Sequence, residues 1–320
     1  MKITKIIITN FRGIESLALE FLHPTGKPLD TIVLAGPNGF GKTSVLEACL
    51  LAMDRKELLG QRSDNKNNIR NGSMDFSIKL QVELAGERLE LARNSSAHEN
   101  GIAKNLRTTL SELKVEYFSS WREPKIVGAV SVSVGKKGKR PKPTEENRLW
   151  LIKQHLVDLT ARKSFQPLDA QVASGLNEEE KIFSRINSAW KLFYPGRNDE
   201  FVNRALEEGF DVFRHDKNTG RSTSVDQLSS GEIEIFTMLG WFATKELSSG
   251  IVFIDEPELH LHPAWHRTIM RALRTILPDT QIICATHSPE VLDSVSSYER
   301  FTLLPEDDPR IRMTTEGDAP

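Results

Sequence analysis

The fold expected for this chain is decided by the stretch GPNGFGKT at residues 36–43. The apolar run TIVLA at 31–35 precedes it, and SVLEACLLAM at 44–53 follows it with helical spacing. The stretch fits the pattern G-x-x-x-x-G-K-[ST], in which glycines let backbone N–H groups surround a phosphate chain. A chance glycine-rich turn is the alternative, but the strand before and the helix after are the context that a phosphate-binding loop requires.

Two side chains of this loop have expected roles in nucleotide binding. Lys42 would place a positive charge on the β- and γ-phosphates, and Thr43 would offer a hydroxyl to Mg²⁺. The following helix would point its positive N-terminal end at the anion. The predicted phosphate-binding residues are Gly36, Pro37, Asn38, Gly39, Phe40, Gly41, Lys42, Thr43 and Ser44.

A second motif, IVFIDEPE, lies at residues 251–258 and contains acidic residues. Four apolar residues end at Asp255, which at the end of a buried strand would hold Mg²⁺ directly or through water. Glu256 beside it could act as general base on the attacking water. A strand that ends in two solvated acids is the alternative, and the phosphate loop elsewhere in the chain favours the metal and base assignments.

Two further motifs follow strands or precede helices in the second half of the chain. In LSSGE at 228–232, Ser229, the backbone around Ser230 and Gly231, and the helix that follows predict an anion site. A plain helix cap is the alternative, since Ser is a favoured cap and Glu232 suits the first turn. In ATHSP at 285–289, His287 follows an apolar strand, where it could be either functional or structural.

The order of elements predicts an α/β protein whose nucleotide-binding core comes from both ends of the chain. Residues 3–9 and 16–21 predict antiparallel strands, and residues 75–93 predict a hairpin. Helical spacing occurs at 145–163, 178–194 and 231–247 and after Pro263, whereas 94–145 is the hardest segment to interpret. The predicted domains are 1–93 and 201–304 for the core, 94–200 for a mostly helical insert and 305–320 for a flexible tail.

Composition excludes few kinds of partner, but it indicates the cellular compartment in which the protein is found. The chain has 320 residues, 42 basic and 44 acidic, so its net charge of −2 does not itself require nucleic acid or membrane. Cys49 and Cys284, the two cysteines, lie in apolar runs and predict buried, reduced thiols. No run approaches the ~18 apolar residues of a membrane span, and no signal peptide is evident. We therefore expect a soluble, cytoplasmic protein.

Taken together, NFRGI at 10–14, GPNGFGKT, LSSGE, DEPELHLHP at 255–263 and ATHSP resemble the ABC ATPases of the SMC/RecF/OLD group. They are most similar to the OLD-type and defence-associated branch, which includes retron- and Septu-associated ATPases. The motifs cover about the first 50 and last 95 residues. The resemblance implies an ABC ATPase head: a P-loop NTPase sheet with an N-terminal antiparallel β-layer, plus the inserted lobe.

The resemblance also implies roles for particular residues. Arg12, in NFRGI, would reach the nucleotide phosphates, although a surface ion pair is the alternative. His287 would contact the γ-phosphate. The signature residues would meet the γ-phosphate bound by the opposite protomer of a homodimer; they are Ser229, Ser230, Gly231 and Glu232.

The sequence departs from the family pattern at four points. Ser230 replaces the first signature glycine, and His260 and His262 occupy the loop after the acidic strand, where the family usually carries an Asp. Two histidines so spaced before a proline are a poor tetrahedral metal site, so we expect packing or dimer contacts. The family's Mg²⁺-contacting Gln is not obvious, and Gln81 is a weak candidate. We also expect no C-terminal Toprim domain, for which the residues after THSP leave no room.

These features predict an ATPase with ATP and Mg²⁺ as ligands, in which Lys42, Glu256 and His287 promote hydrolysis and so reopen an ATP-bound dimer. The family branch implies antiphage defence with a separate nuclease or toxin as effector. A RecF-like, ATP-dependent DNA-binding protein of repair is the alternative. A basic run would then contact phosphates, or else form a solvated loop; its members are Lys136, Lys137, Lys139, Arg140 and Lys142.

Overall fold

A computed structural model gives the architecture of the chain. It describes residues 1–60, 64, 66–95, 110, 112–122, 125–131, 144–164, 177–207, 209–245 and 247–304. The contacts within these residues group the chain into two compact units. The first consists of 1–120, 247–257 and 279–320, and the second of 121–246 and 258–278.

A four-stranded antiparallel sheet forms one layer of the first unit, in the order β2-β1-β4-β5. In β1 the residues Ile6 and Ile8 are fully buried and alternate with more accessible neighbours, as expected for a sheet with one face on the core. The strands are β1 (Lys2–Phe11), β2 (Ile14–Glu20), β4 (Ser77–Leu84) and β5 (Glu87–Asn94).

A five-stranded parallel sheet forms the second layer, in the order β12-β3-β11-β10-β6. Its three central strands are buried on both faces, which explains why TIVLA, IVFID and QIICAT are almost uninterrupted apolar runs. The strands are β3 (Thr31–Ala35), β6 (Val115–Phe118), β10 (Ile251–Asp255), β11 (Gln281–Thr286) and β12 (Arg300–Thr302).

Helix α1 (Lys42–Ala52) packs against strands of both sheets. Nearly every residue of this helix is buried, including Cys49, and burial raises the pKa of the Cys49 thiol well above its usual range. Cys284 on β11 is also buried. The buried state predicted for both cysteines is therefore confirmed. A short helix, α6 (Pro289–Asp293), follows β11.

The second unit contains helices and a three-stranded antiparallel sheet in the order β7-β8-β9. Its helices pack against each other, with α3 contacting both α4 and α5. The elements are α2 (Arg148–Ser164), α3 (Glu178–Phe193), β7 (Asp199–Leu206), β8 (Gly209–Asp216), β9 (Ser222–Ser224), α4 (Ser230–Thr244) and α5 (Pro263–Ile276).

The two compact units combine segments from distant parts of the chain, and the predicted domain bounds stay a prediction. Residues 94–200 do not form a unit by themselves, because β6 joins the parallel sheet and because β7, β8, α4 and α5 belong to the second unit. No local pattern indicates this grouping, since β6 has only four residues and pairs with a strand more than 130 positions later. Within the described residues, no helix is long and apolar enough to cross a membrane.

Candidate functional site

The loop at 36–43 connects the carboxyl end of β3 to α1 in a tightly curved backbone path. Gly36, Gly39 and Gly41 all have positive φ angles, of 147°, 86° and 81°. Gly36 also packs closely against the backbone of Leu303, because a Cβ added at Gly36 would be 2.3 Å from the carbonyl oxygen of Leu303. Glycine is therefore required at this position by both conformation and space.

Lys42 is nearly buried, and its Nζ donates hydrogen bonds to the carbonyl oxygens of Gly36 and Pro37 at 2.8 and 2.9 Å. The ammonium is thus held inside the curve of the loop. Helix α1 begins at Lys42, and within the described residues it has no side-chain cap and no acidic residue in its first turn. No carboxylate in the first turn therefore neutralises the positive end of the helix dipole.

Thr43 and Asp255 bring the loop and the acidic strand together. The hydroxyl of Thr43 lies 3.0 Å from both carboxylate oxygens of Asp255, which is 2% exposed at the end of β10. β3 and β10 flank β11 in one parallel sheet, so their carboxyl ends meet at the same edge. A hydroxyl and a carboxylate are hard oxygen donors of the kind that Mg²⁺ prefers, so these residues fit that ion.

Glu256 and His287 lie side by side at the same sheet edge. His287 Nε2 is 3.5 Å from Glu256 Oε1, and both side chains are about one-third exposed. The backbone of Glu256 has a φ of 52°, and its N–H donates to the carbonyl oxygen of Ala285 at 2.8 Å. A left-handed conformation is uncommon for a non-glycine residue and is often found at functional positions.

Arg12 lies in a network of buried polar groups. Its guanidinium forms an ion pair with Glu47, and its Nε donates to Asn68 Oδ1 at 2.8 Å. Glu47 is a fully buried residue of α1, and Tyr117 donates to it at 3.4 Å. The ion pair that the sequence left open for Arg12 is thus present, with a buried partner. The contact of Arg12 with phosphates stays a prediction.

The signature residues open helix α4 in the second unit. Ser229 is the N-cap, with its Oγ accepting from the N–H of Glu232 at 3.4 Å, and the Glu232 carboxylate accepts from the N–H of Ser229 at 3.1 Å. This capping box is the local role that the sequence offered as an alternative. Gly231 is also tightly packed, since a Cβ there would be 3.0 Å from both the His260 carbonyl oxygen and the Trp265 ring. The predicted phosphate contact stays untested.

Two arginines and a tyrosine converge on Glu232. Arg214 Nη1 lies 2.9 Å from Glu232 Oε1, Arg197 Nη1 lies 3.3 Å from it, and the Tyr194 hydroxyl donates at 3.1 Å. Partial burial raises the pKa of Glu232, but hydrogen bonds from Ser229 and the charge of Arg214 outweigh it, so the net pKa is lowered. Burial and the Glu232 charge raise the pKa of Tyr194. The signature helix is therefore anchored by charged hydrogen bonds.

The histidines after Asp255 have local roles. His262 is the N-cap of α5, and its Nδ1 accepts from the N–H of Ala264 at 3.2 Å. Its ring also makes an edge contact with Trp265. His260 has a φ of 65° and is exposed. Within the described residues no three His, Cys, Asp or Glu side chains are grouped as a metal site.

Another predicted contact, that of Gln81 with Mg²⁺, is not formed at this edge. Gln81 is in β4, where its backbone pairs with Lys5 of β1 and its carbonyl oxygen accepts from Thr4. It is therefore part of the antiparallel sheet, not of the edge that carries Asp255. The basic run at 136–142 and the tail from 305 lie outside the described residues.

Sequence reasoning missed Ser120, whose Oγ donates to Asp255 Oδ2 at 2.9 Å. It also missed Glu47 as the partner of Arg12. Ser120 could have been found only by identifying VEYF as a parallel strand, since the polar residues after such a strand belong to the functional edge of the sheet. Glu47 had a clearer signal, because it is the one acidic residue in the apolar helix SVLEACLLAM.

Comparison with known proteins agrees with this architecture. The chain is 34% identical over 159 residues to the "Retron Vc95 probable ATPase" of Vibrio cholerae, and that match covers 45% of this chain and 30% of the retron protein. It is 25% identical to the "Septu protein PtuA" of Bacillus thuringiensis, covering 94% of this chain and 75% of PtuA. The chain thus spans under a third of the retron relative's length.

Solved structures show the same fold. An SMC head bound to the C-winged helix domain of ScpA superposes with a TM-score of 0.58 at 12% identity, covering 92% of this chain and 93% of the head. The predicted ABC ATPase head fold is thereby confirmed. The family described as "AAA domain, putative AbiEii toxin, Type IV TA system" matches residues 32–293. The chain belongs to this AAA-domain family and has the fold of an SMC-type ATPase head.

Proposed function

We propose that this chain binds ATP with Mg²⁺, closes as a homodimer around the nucleotide, hydrolyses it and thereby controls a separate effector protein. The observation that carries the proposal is the contact of the Thr43 hydroxyl with both carboxylate oxygens of Asp255. In P-loop NTPases, the threonine of the phosphate loop and an aspartate at the end of a strand together hold the Mg²⁺ that accompanies the nucleotide. Membership of the AAA-domain family supports the same activity.

The loop residues bind and orient the triphosphate. The backbone N–H groups from Gly36 to Thr43 and the start of α1 attract the phosphate oxygens, and Lys42 neutralises charge on the β- and γ-phosphates. Thr43 and Asp255 would hold Mg²⁺, which when bound withdraws charge from the phosphate oxygens. In this role Lys42 exchanges its two carbonyl partners for phosphate oxygens, without leaving the curve of the loop.

Hydrolysis is assigned to Glu256 and His287. The Glu256 carboxylate accepts the proton of the attacking water as general base, and the left-handed backbone of this residue is of the kind found at functional positions. His287 lies 3.5 Å from it, close enough to orient the carboxylate, and would also donate a hydrogen bond to the γ-phosphate. Arg12 would contribute a further positive charge near the phosphates.

Closure of two protomers is assigned to the signature helix. Ser229, Ser230 and Gly231 would present the N-terminus of α4 to the γ-phosphate bound by the partner protomer. Glu232 supports this role indirectly, because it anchors the first turn through Arg214. Binding of ATP would then favour the closed dimer as a ligand-driven shift in population, and hydrolysis would reverse it.

The effector is inferred from the relatives. Similarity to a retron ATPase and to Septu PtuA supports a role in antiphage defence. The SMC head of the structural comparison is bound to a domain of another protein, which supports a partner protein here too. We propose that this partner is a nuclease or toxin, because none of the described acidic residues forms a further metal cluster that could cut nucleic acid.

The experiment is affinity purification of tagged Glu256→Gln protein from its native cells with ATP and Mg²⁺, followed by identification of the bound protein and nucleic acid. Lys42→Ala, which should not hold ATP, is the matched control. A stoichiometric nuclease or toxin that is present with Glu256→Gln and depleted with Lys42→Ala supports the proposal. Duplex DNA without a protein partner would instead support ATP-dependent DNA binding and overturn the effector assignment.

A further inference from the structure

Ser120 occupies the functional edge of the parallel sheet through a strand that carries none of the sequence motifs. β6 pairs in parallel with β10, in a register that sets Phe118 opposite Ile254. β6 ends at Phe118, and two residues later Ser120 Oγ donates at 2.9 Å to Oδ2 of Asp255, the last residue of β10. β6 and β11 are the two neighbours of β10 in the sheet, so the Ser120 hydroxyl reaches Asp255 from the side opposite β11.

Asp255 therefore receives two hydroxyl groups. Thr43 contacts both carboxylate oxygens at 3.0 Å, and Ser120 contacts Oδ2. Asp255 is only 2% exposed, so these alcohols supply part of the hydrogen bonding that its charge would have in water. Three different segments of the first unit, at 43, 120 and 255, meet at one carboxylate.

This donor set suits a small divalent cation. Mg²⁺ takes oxygen ligands at about 2.0–2.1 Å and commonly binds one or two carboxylates together with substrate phosphates and water. An alcohol that donates to a carboxylate can rotate its proton away and present a lone pair to a cation at that carboxylate, so no proton needs to leave the serine or threonine. The same three side chains can thus hydrogen-bond to each other without the ion and supply oxygen ligands when it binds.

We propose that Ser120 is a further metal-binding residue of this site, whose hydroxyl oxygen supplies one contact to the divalent cation that accompanies ATP. The inference rests on the proposed function. It replaces Gln81, which lies in the antiparallel sheet, as the residue that reaches the cation from outside the loop and the acidic strand. It also gives β6 a role that its short, motif-free sequence did not indicate.

The test is a change of metal preference, measured as binding and not as turnover. Binding of a fluorescent ATP analogue is titrated with Mg²⁺ and with Cd²⁺ for the wild type, Ser120→Ala and Ser120→Cys. Ser119→Ala, which deletes the neighbouring hydroxyl, is the matched control. A thiolate favours a soft cation over Mg²⁺, so a cysteine at a ligand position should shift the preference of the site.

We expect Ser120→Ala and Ser120→Cys to raise the Mg²⁺ concentration at half-saturation about tenfold or more, the usual cost of losing a metal-site partner. Cd²⁺ should restore tight binding to Ser120→Cys but not to Ser120→Ala, and Ser119→Ala should match the wild type. The thermal unfolding of each variant without metal separates a folding defect from a metal defect. A purely structural serine would produce no selective rescue by Cd²⁺.

Two negative results have different meanings. If wild-type protein binds the analogue with Mg²⁺ and Ser120→Cys shows the same Mg²⁺ dependence and no gain with Cd²⁺, then the metal role of Ser120 is wrong and the proposed function stands. If the wild type shows no metal-dependent nucleotide binding at all, the proposed function fails and this inference fails with it.

Discussion

The hydroxyl of Thr43 lies 3.0 Å from each carboxylate oxygen of Asp255, although 212 positions separate the two residues in the chain. The contact joins the first residues of α1 to the end of β10 and is the centre of the proposed nucleotide site. It depends on the parallel sheet, because only there do the loops that follow β3 and β10 begin at a common edge.

Replacing Thr43 by valine keeps the shape of the side chain but removes this hydroxyl. We expect the Mg²⁺ concentration needed for ATP binding to rise about 10–100-fold, while weak metal-free binding to the loop persists. Titration of Mg²⁺ at fixed nucleotide measures the change. Thr31→Val, at the amino end of β3, is the control. An unchanged Mg²⁺ requirement in Thr43→Val would remove Thr43 from the metal site.

The ion pair of Arg12 and Glu47 provides a stability test. Glu47 is fully buried and Arg12 is 21% exposed, so Arg12→Met leaves a buried carboxylate without its cation. We expect a loss of about 3 kcal/mol in the free energy of unfolding, the lower end for a broken buried pair. The double variant Arg12→Met/Glu47→Met should recover most of it. Urea unfolding measures all three, and additive losses would show that the pair is not coupled.

The close approach of Gly36 to Leu303 predicts an unequal response of two loop glycines. A Cβ at Gly36 would be 2.3 Å from the Leu303 carbonyl oxygen, whereas a Cβ at Gly39 meets nothing within 4 Å. Gly39→Ala should cost about 1–2 kcal/mol for its left-handed backbone alone, and Gly36→Ala should cost about 1–3 kcal/mol more through overpacking. Chemical denaturation compares them, and equal losses would contradict the packing argument.

The lowered pKa of Glu232 predicts a dependence of stability on pH. A carboxyl group whose pKa is lower in the folded state stabilises the protein above its unfolded pKa, near 4.5, and loses that contribution as the pH falls through the folded value. The wild type should therefore exceed Glu232→Gln in unfolding free energy at pH 7. The difference should shrink below about pH 4.5. A difference that grows on acidification would contradict this assignment.

Much of the sheet edge that carries the proposed nucleotide site could be predicted, because its motifs carry their own context. GPNGFGKT lies between a strand and a helix, and IVFID ends in its acids, so the sequence alone suffices to place both at the carboxyl edge of one sheet. The buried strands were equally clear, since parallel central strands are apolar on both faces.

Short strands and long-range partners could not be predicted. β6 has four residues and β12 has three, too few for a pattern, and each is defined by pairing with a distant strand. Ser120 was missed for this reason. The grouping into two compact units was hidden from the sequence for a similar reason, because α4 and α5 look like core helices by position but pack with α3 in the second unit. Tertiary packing decides such questions, and one sequence does not contain that information in local form.

Closure around ATP is tested most directly by the molar mass of Glu256→Gln, measured by light scattering without nucleotide, with ADP and with ATP, each with Mg²⁺. We predict that hydrolysis falls about 100-fold or more, as expected for loss of a general base. We also predict that the molar mass doubles with ATP and Mg²⁺, but not with ADP and Mg²⁺ or without nucleotide. The double variant Lys42→Ala/Glu256→Gln should stay monomeric. A Glu256→Gln protein that binds ATP tightly yet remains a monomer would contradict the account.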